Sequence, residues 1–356
     1  MDKKILSKKL IAWYEENKRD LPWRHTNDPY KIWLSEIILQ QTRVVQGTPY
    51  YEKFVANYPT VQELANAPEQ QVLRLWQGLG YYSRARNLHF TAKYISNELQ
   101  NQFPKNYKEL LTLKGVGNYT AAAIASFAYD ESVAAVDGNV FRVLSRLFNV
   151  DLDIASSQGK KAFEELAQEI IPKKNAGTHN QAMIEFGALH CTPQKPNCMF
   201  CTFQQACEAF RLGKQNQLPV KIKKVKVRKR YFDYLVWEFD NQFLLKERQA
   251  GDIWQGLHDF HLIESSKENS DWENLLSDLG IDELAEKSVL INQSKVYKHI
   301  LSHQNIFAQF HRVEIQTESL FEQIANQFNL SIQPKEQLQE IPKPILINNY
   351  LEESVF

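Results

Sequence analysis

Three sets of side chains in this 356-residue sequence have types and spacings that can do chemistry. The first is sulfur. The four cysteines, Cys191, Cys198, Cys201 and Cys207, fall within 17 residues with the spacing C-x6-C-x2-C-x5-C. Disulfide frameworks of secreted proteins spread their cysteines, whereas a tight cluster favours metal ligation. Four thiolates suit either a zinc ion or a cubane iron–sulfur cluster. Zinc sites commonly pair two C-x2-C knuckles. Here one such pair occurs, and the long first gap leans towards the cluster. Lys195, Arg211 and Lys214 flank the loop and would offer positive charge to a phosphate.

The second set is a pair of carboxylates. Glu36 stands beside Ile37, Ile38 and Leu39, and Gln40, Gln41 and Thr42 follow one turn on. A glutamate among apolar residues is rare unless paired or functional. The plainer alternative is an exposed glutamate early in a helix, favoured by the helix dipole. Two glutamines and a threonine suit hydrogen bonding to base edges. Asp137 follows an apolar run and precedes Gly138-Asn139 and an amphipathic stretch, so taken alone it is an N-cap. The third set is the Gly115-Val116-Gly117 turn. Glycine there permits positive φ and close backbone approach. A helix starting near Asn118 would add its free N–H groups, which together suit a phosphate. An ordinary helix–helix turn is the alternative. In a helical, basic setting the segment resembles a helix-hairpin-helix clamp on DNA backbone.

The elements that position these groups are helical up to about residue 210. Leu6, Leu10, Trp13 and Tyr14 recur at helical spacing, as do Ile32, Glu36, Leu39 and Gln40. Proline and glycine punctuate at short intervals, which predicts many short helices. Residues 212–230 carry seven basic side chains in their last ten and read as a linker, either solvated or lying along phosphates. After 230 the pattern turns β-like. Tyr231–Phe239 and Gln242–Lys246 read as strands around an Asp240-Asn241 turn, with further strands at Lys295–Val296 and Ile306–Val313. Asp271–Asp278 and Ser319–Asn326 read as helices. The expected architecture is multidomain: a helical domain over 1–211, the linker 212–230, and a smaller α+β domain over 231–356.

Composition sorts the partners. The chain balances 42 basic against 42 acidic residues, but the balance is uneven. Residues 1–230 carry 33 basic and 21 acidic side chains, while residues 231–356 carry 9 and 21. A polyanion therefore suits the front and not the back. No run of about 18 apolar residues predicts a membrane span. Asp2, Lys3 and Lys4 lead into a mixed amphipathic stretch, which argues against a secretory signal. The expected compartment is cytoplasmic, at the nucleoid in a bacterium.

Taken together, the segments are specific. LPWR (21–24), SEIILQQT (35–42), QGLGYYSRARNL (77–88), LKGVGNYTAAAI (113–124), VDGNVFRV (136–143), NQAMIEFGALHC (180–191) and the cysteine spacing resemble the endonuclease III superfamily of DNA glycosylases, and within it the MutY-type adenine glycosylases. The resemblance runs through nearly all of 1–230 and more weakly to the end. It implies a helix-hairpin-helix at about 108–129 with Gly115 and Gly117 on DNA, and a 4Fe–4S cluster on the four cysteines in a loop over 191–207. It implies a Nudix-like domain at the C-terminal end. Lyase-type relatives end the hairpin with a nucleophilic lysine. Tyr119 stands there in this sequence, which implies a monofunctional enzyme.

The resemblance also implies roles. Glu36 would protonate adenine, and Asp137 would stabilise the sugar cation, with Tyr119 and Asn139 hydrogen-bonding Asp137. Trp23 and Gln181 would line the adenine pocket. Gln41 and Tyr81 would wedge into the duplex. Ser302 and His303 would read 8-oxoguanine, although Leu301 replaces an aromatic residue of the family's loop. The implied partner is double-stranded DNA carrying adenine opposite 8-oxoguanine or guanine, bound by a monomer, with no membrane involved.

Overall fold

The structure is a computed structural model and describes residues 3–222, 227–265, 272–277, 279–281 and 283–356. Contacts divide the chain into two compact units: one of residues 1–67 and 86–223, the other of residues 68–85 and 224–356. Among the described residues no helix is long and apolar enough to cross a membrane.

The first unit is helical. Its elements are α1 (Lys3–Asn17), α2 (Pro29–Leu39), α3 (Val44–Asn57) and α4 (Val61–Asn66). After α5 (Glu69–Trp76), which belongs to the other unit, come α6 (Ser83–Asn97), α7 (Tyr107–Leu110), α8 (Asn118–Tyr129), α9 (Gly138–Phe148), α10 (Ser157–Ile170), α11 (Ala176–Leu189) and α12 (Glu208–Arg211). Leu6, Leu10 and Tyr14 of α1 lie four residues apart, so they form one stripe, and all three are buried. They pack with Val140, Val143 and Leu147 of α9, Phe163 of α10 and Met183 and Phe186 of α11. Local signals set the helix ends. Asp28 caps α2, accepting from Tyr30 N at 2.9 Å, and Pro29 supplies the first helical position. Thr60 and Glu63 close a reciprocal capping box on α4.

The second unit is built on a mixed sheet. Its strands are β1 (Arg228–Phe239), β2 (Gln242–Glu247), β3 (His258–Asp259), β4 (His261–Ser265), β5 (Ser288–Gln293), β6 (Tyr297–Ile300), β7 (Gln304–Ile315) and β8 (Ser331–Pro334). The main strand order is β3-β2-β1-β7-β5. In addition, β4 pairs with β1, β6 with β7, and β8 with β2. β1 and β7 run parallel from Arg228 opposite Gln304 to Glu238 opposite Glu314. β1 is covered on both faces. Phe232, Tyr234 and Val236 pack with Leu346, Ile347 and Tyr350 of the helix Ile345–Ser354, while Leu235 and Trp237 pack with Leu320, Phe321 and Ile324 of the helix Glu318–Gln327. A short helix, Trp272–Ser277, precedes them.

Most expected elements are present, with informative exceptions. Residues Lys295–Val296 are not a strand; β6 starts at Tyr297. Ser294 explains the break, because its hydroxyl takes the Phe310 amide at 3.0 Å in place of a ladder partner. Of the helix expected over 271–278, the two end residues lie outside the described set, as do 223–226 of the basic linker. At the end of that linker Arg228 and Lys229 are exposed, while Arg230 is not free for phosphate. Arg228–Arg230 belong to β1, and buried Arg230 is held by Asp252 and Glu264, each 2.6–2.8 Å away.

Candidate active site

Glu36 lies in the closing turns of α2 and not at its start, because the Asp28 cap sets the start eight residues earlier. The dipole alternative is thereby removed. Glu36 is 8% exposed. Helix α2 stops at Leu39, where Gln40 leaves helical geometry and Gln41 takes φ +57°, turning the chain across the mouth of a cleft. Gln40 reaches back to Thr120 Oγ1 on α8 at 3.3 Å. The cleft, of about 950 Å³, is lined by Glu36, Tyr119, Asp137, Asn139, Trp23, Gln181 and Gln41, among others. Seven residues selected from sequence thus converge on one site in the helical unit. Trp23 stands edge-on to Tyr51, with ring centroids 5.2 Å apart.

Asp137 is both the N-cap of α9 and a wall of the cleft. Its Oδ1 accepts from Asn139 N at 2.9 Å and Val140 N at 2.8 Å, and its Oδ2 accepts from Asn139 Nδ2 at 2.7 Å. The cap reading and the functional reading describe the same geometry. Asn139 is held in turn by Arg142, whose Nη2 donates to Asn139 Oδ1 at 2.8 Å and whose Nε donates to the Cys191 carbonyl at 2.7 Å. Helix α11 presses on this point through Gly187. A Cβ there would meet Asn139 Cβ at 2.7 Å, so only glycine permits the approach. Tyr119 stands by both acids: Glu36 is its hydrogen-bond partner, and Asp137, the expected partner, acts on it through charge.

The electrostatics separate the acids. Burial pushes the Glu36 carboxyl up to about 7; the Tyr119 hydrogen bond opposes the rise and nearby Asp137 adds to it. Burial also raises Asp137, against the three hydrogen bonds that favour its charged form. A third acid was missed from sequence. Glu185, on α11 one turn beyond Gln181, is fully buried between Arg19 and Arg24, with contacts of 2.6–2.9 Å. Burial works against its charge, but the two guanidinium groups outweigh it and bring the carboxyl down to about 2. Glu185 and both arginines line the cleft. The rule that marks Glu36, an acid inside an apolar helix, marks Glu185 equally.

The hairpin turn has the geometry its glycines require. Gly115 takes φ +82°, and a Cβ there would stand 2.8 Å from Asn87 Cβ. Gly117 is the N-cap of α8 with an ordinary negative φ. Gly115→Ala is expected to cost on the order of 1–3 kcal/mol of stability and to weaken binding to undamaged duplex. Urea unfolding and fluorescence anisotropy on a labelled duplex would measure both.

The four cysteines are unpaired and line one apolar pocket with Phe186, Phe210 and Arg146. Arg146 Nη1 donates to Cys191 Sγ at 3.3 Å, and Phe203 N donates to Cys201 Sγ at 3.4 Å. Such donors stabilise anionic sulfur, so the donor set fits a thiolate-ligated group. Among the described residues no three such side chains stand at metal-holding separations. Of the flanking cations, Arg211 is tied to Glu208 at 2.7 Å, and sequence reasoning passed over Arg142 and Arg146.

In the second unit, Trp76 Nε1 donates to the Gly80 carbonyl at 3.0 Å, and Arg84 Nη2 donates to the Leu79 and Gly80 carbonyls at 3.1 Å. These bonds shape the turn that carries Tyr81, at φ +48° and 42% exposed. The Tyr81 hydroxyl meets Ser302 Oγ. Ser302 and His303 are exposed at the tip between β6 and β7. Two residues 221 apart in sequence, each expected from sequence to meet DNA, are therefore in contact.

Residues 34–173 match the HhH-GPD superfamily base excision DNA repair proteins, and residues 234–353 match the NUDIX domain. The adenine DNA glycosylase of Buchnera aphidicola subsp. Schizaphis graminum is 32% identical over 307 residues, covering 86% of this chain and 85% of that protein. The adenine DNA glycosylase of Rattus norvegicus is 43% identical over 218 residues, covering 59% of this chain and 42% of that protein. Among solved structures, a thermostable thymine-DNA glycosylase superimposes with a TM-score of 0.55 at 30% identity, over 59% of this chain and 97% of that one. A helical glycosylase fold followed by a Nudix-like sheet, with a relative matched over most of both lengths, establishes the assignment: the chain belongs to the adenine DNA glycosylase family, hydrolases of N-glycosyl bonds in base excision repair.

Proposed function

We propose that this protein is a monofunctional glycosylase that binds duplex DNA as a monomer, in the cytoplasmic compartment, and removes adenine paired with 8-oxoguanine or guanine. One observation carries the reading: a buried carboxyl near neutral pKa, Glu36, shares a cleft with a second carboxyl, Asp137, that is fixed by three hydrogen bonds. Two acids with separate environments are what glycosidic cleavage requires. With adenine flipped into the cleft between Trp23 and Gln181, Glu36 donates its proton to N7. The C1′–N9 bond then breaks with both electrons leaving on adenine. Asp137 faces the sugar cation that remains, and Tyr119 holds the Glu36 carboxyl in place. Water adds at C1′, its proton passes to Glu36, and an abasic site and free adenine result. Among the described residues no lysine lines the cleft, which supports hydrolysis over a Schiff-base route.

Gln41, Tyr81, Gly115 and Gly117 would hold the opened duplex, and Ser302 with His303 would read the opposite base. The expected division into a helical domain (1–211), basic connector (212–230) and Nudix-like domain (231–356) would serve that split of tasks, with the correction that residues 68–85 group with the C-terminal unit and that β1 begins at Arg228. Cys191, Cys198, Cys201 and Cys207 would hold a 4Fe–4S cluster, which when bound ties the 191–207 loop into one rigid piece.

Single-turnover excision of adenine opposite 8-oxoguanine, guanine, cytosine and thymine, developed with mild alkali, tests the function. Preference for the first two with strand breaks only after alkali is expected. Borohydride trapping of protein to DNA would refute the monofunctional reading. Ser302→Ala in the full chain should narrow the 8-oxoguanine preference by about 1 kcal/mol, the value of one net hydrogen bond. Iron and acid-labile sulfide near four per chain in anaerobically purified protein are expected, and stoichiometric zinc would overturn the cluster.

A further inference from the structure

Tyr14 has no part in the mechanism above. It is 3% exposed on α1, and its hydroxyl donates to Gln181 Oε1 at 2.6 Å. That separation is typical of O–H···O and shorter than N–H···O, so the hydroxyl faces the oxygen end of the amide. Burial keeps the phenol protonated and therefore a donor. The Arg24 guanidinium, 5.4 Å from the ring centroid, holds the ring from the side of the cleft. Among the described residues the Gln181 Nε2 has no hydrogen-bond partner. The amide thus meets the cleft with a free N–H donor beside a carbonyl that retains one lone pair.

The order of those two groups matters. Adenine presents an acceptor ring nitrogen beside an amino donor, whereas guanine and hypoxanthine present a keto acceptor beside a ring N–H. A freely rotating amide accepts either pattern. An amide held in one order favours one pattern and leaves the other with opposed donors or acceptors. We infer that Tyr14 is a positioning residue for base selection, locking the Gln181 amide in the order that matches adenine. The inference rests on the reading of Gln181 as a wall of the adenine pocket.

The test compares single-turnover excision of adenine and of hypoxanthine opposite guanine by full-length protein. Tyr14→Phe keeps the ring and its packing. It should lower the adenine-to-hypoxanthine rate ratio roughly tenfold while leaving the hypoxanthine rate within about twofold. Gln181→Ala should lower the ratio by a similar factor, and adding Tyr14→Phe to it should change nothing more. An equal loss on both substrates in Tyr14→Phe would mark a merely structural role and overturn the inference, as would an undiminished Tyr14→Phe effect in the Gln181→Ala background. An unchanged ratio in Gln181→Ala itself would refute Gln181 as a base contact. A changed ratio there with none in Tyr14→Phe would refute the role of Tyr14 alone.

Discussion

Glu36→Gln is expected to lose adenine excision by 10²- to 10⁴-fold, on the order of what a positioned general acid contributes, while still binding mispaired DNA. The amide fills the same space and can accept from Tyr119, but it has no acid proton to give. Asp137→Asn should lose activity on a similar scale, because its neutral amide no longer balances charge at the sugar. It should also bind DNA at least as tightly, since one negative charge near phosphates is gone. Single-turnover rates and equilibrium binding on one duplex separate these effects, and a near-native rate in either variant would refute its role. The wild-type rate should fall as pH rises through about 7, where Glu36 ionises. The same shift acts on stability. A carboxyl that titrates at 4.5 when unfolded and near 7 when folded costs stability above 4.5, increasingly up to 7. Glu36→Gln should therefore be more stable than wild type at pH 8, by roughly 3 kcal/mol, and no more stable at pH 4.

Glu185→Ala is expected to be the most destabilising single change in the helical unit, at about 3–5 kcal/mol. It removes the acid that Arg19 and Arg24 both pair with, and leaves Arg24 at 12% side-chain exposure beside a void. The pH dependence has the opposite sign to that of Glu36. Glu185 is depressed to about 2, so its contribution is present in full above 4.5 and is lost as pH falls from there towards 2. Urea unfolding at pH 7 and pH 3 should therefore show a large gap between wild type and Glu185→Ala at the higher pH and a smaller one at the lower. Equal gaps would show that lost packing, and not the paired charge, carries the effect.

Local chemistry was the legible part of this protein. Asp28-Pro29, Gly115, and Asp137 before Gly138 each announce a helix boundary through backbone geometry, and each boundary stands where that geometry requires. The carboxylates Glu36 and Asp137 were legible because acids among apolar residues are costly. What sequence concealed was pairing at a distance. Tyr119, on α8, has its hydrogen-bond partner in Glu36 on α2, a pairing between distant helices. Arg19, Arg24 and Glu185 come from α11 and the connection after α1, more than 160 positions apart. Strands β3, β4, β5 and β8 were missed because they are short, or exposed enough to lack a clean alternation. In β1 the alternation is real but misleads about solvent, since Asp233 faces buried His311 at 3.0 Å and not water.

The affiliation of residues 68–85 with the C-terminal unit has a consequence for synthesis. Helix α5 buries Val72, Leu73 and Trp76. Its neighbours include Gly256, close to the Leu73 side chain, and Asn348, which accepts from Gln77 at 3.1 Å. A ribosome delivers α5 first and those partners some 180 to 270 residues later, at about 5–20 residues per second. The Leu73 and Gln77 contacts therefore form roughly 10 seconds or more after α5 leaves the ribosome, and a product that stops near residue 223 lacks both of them.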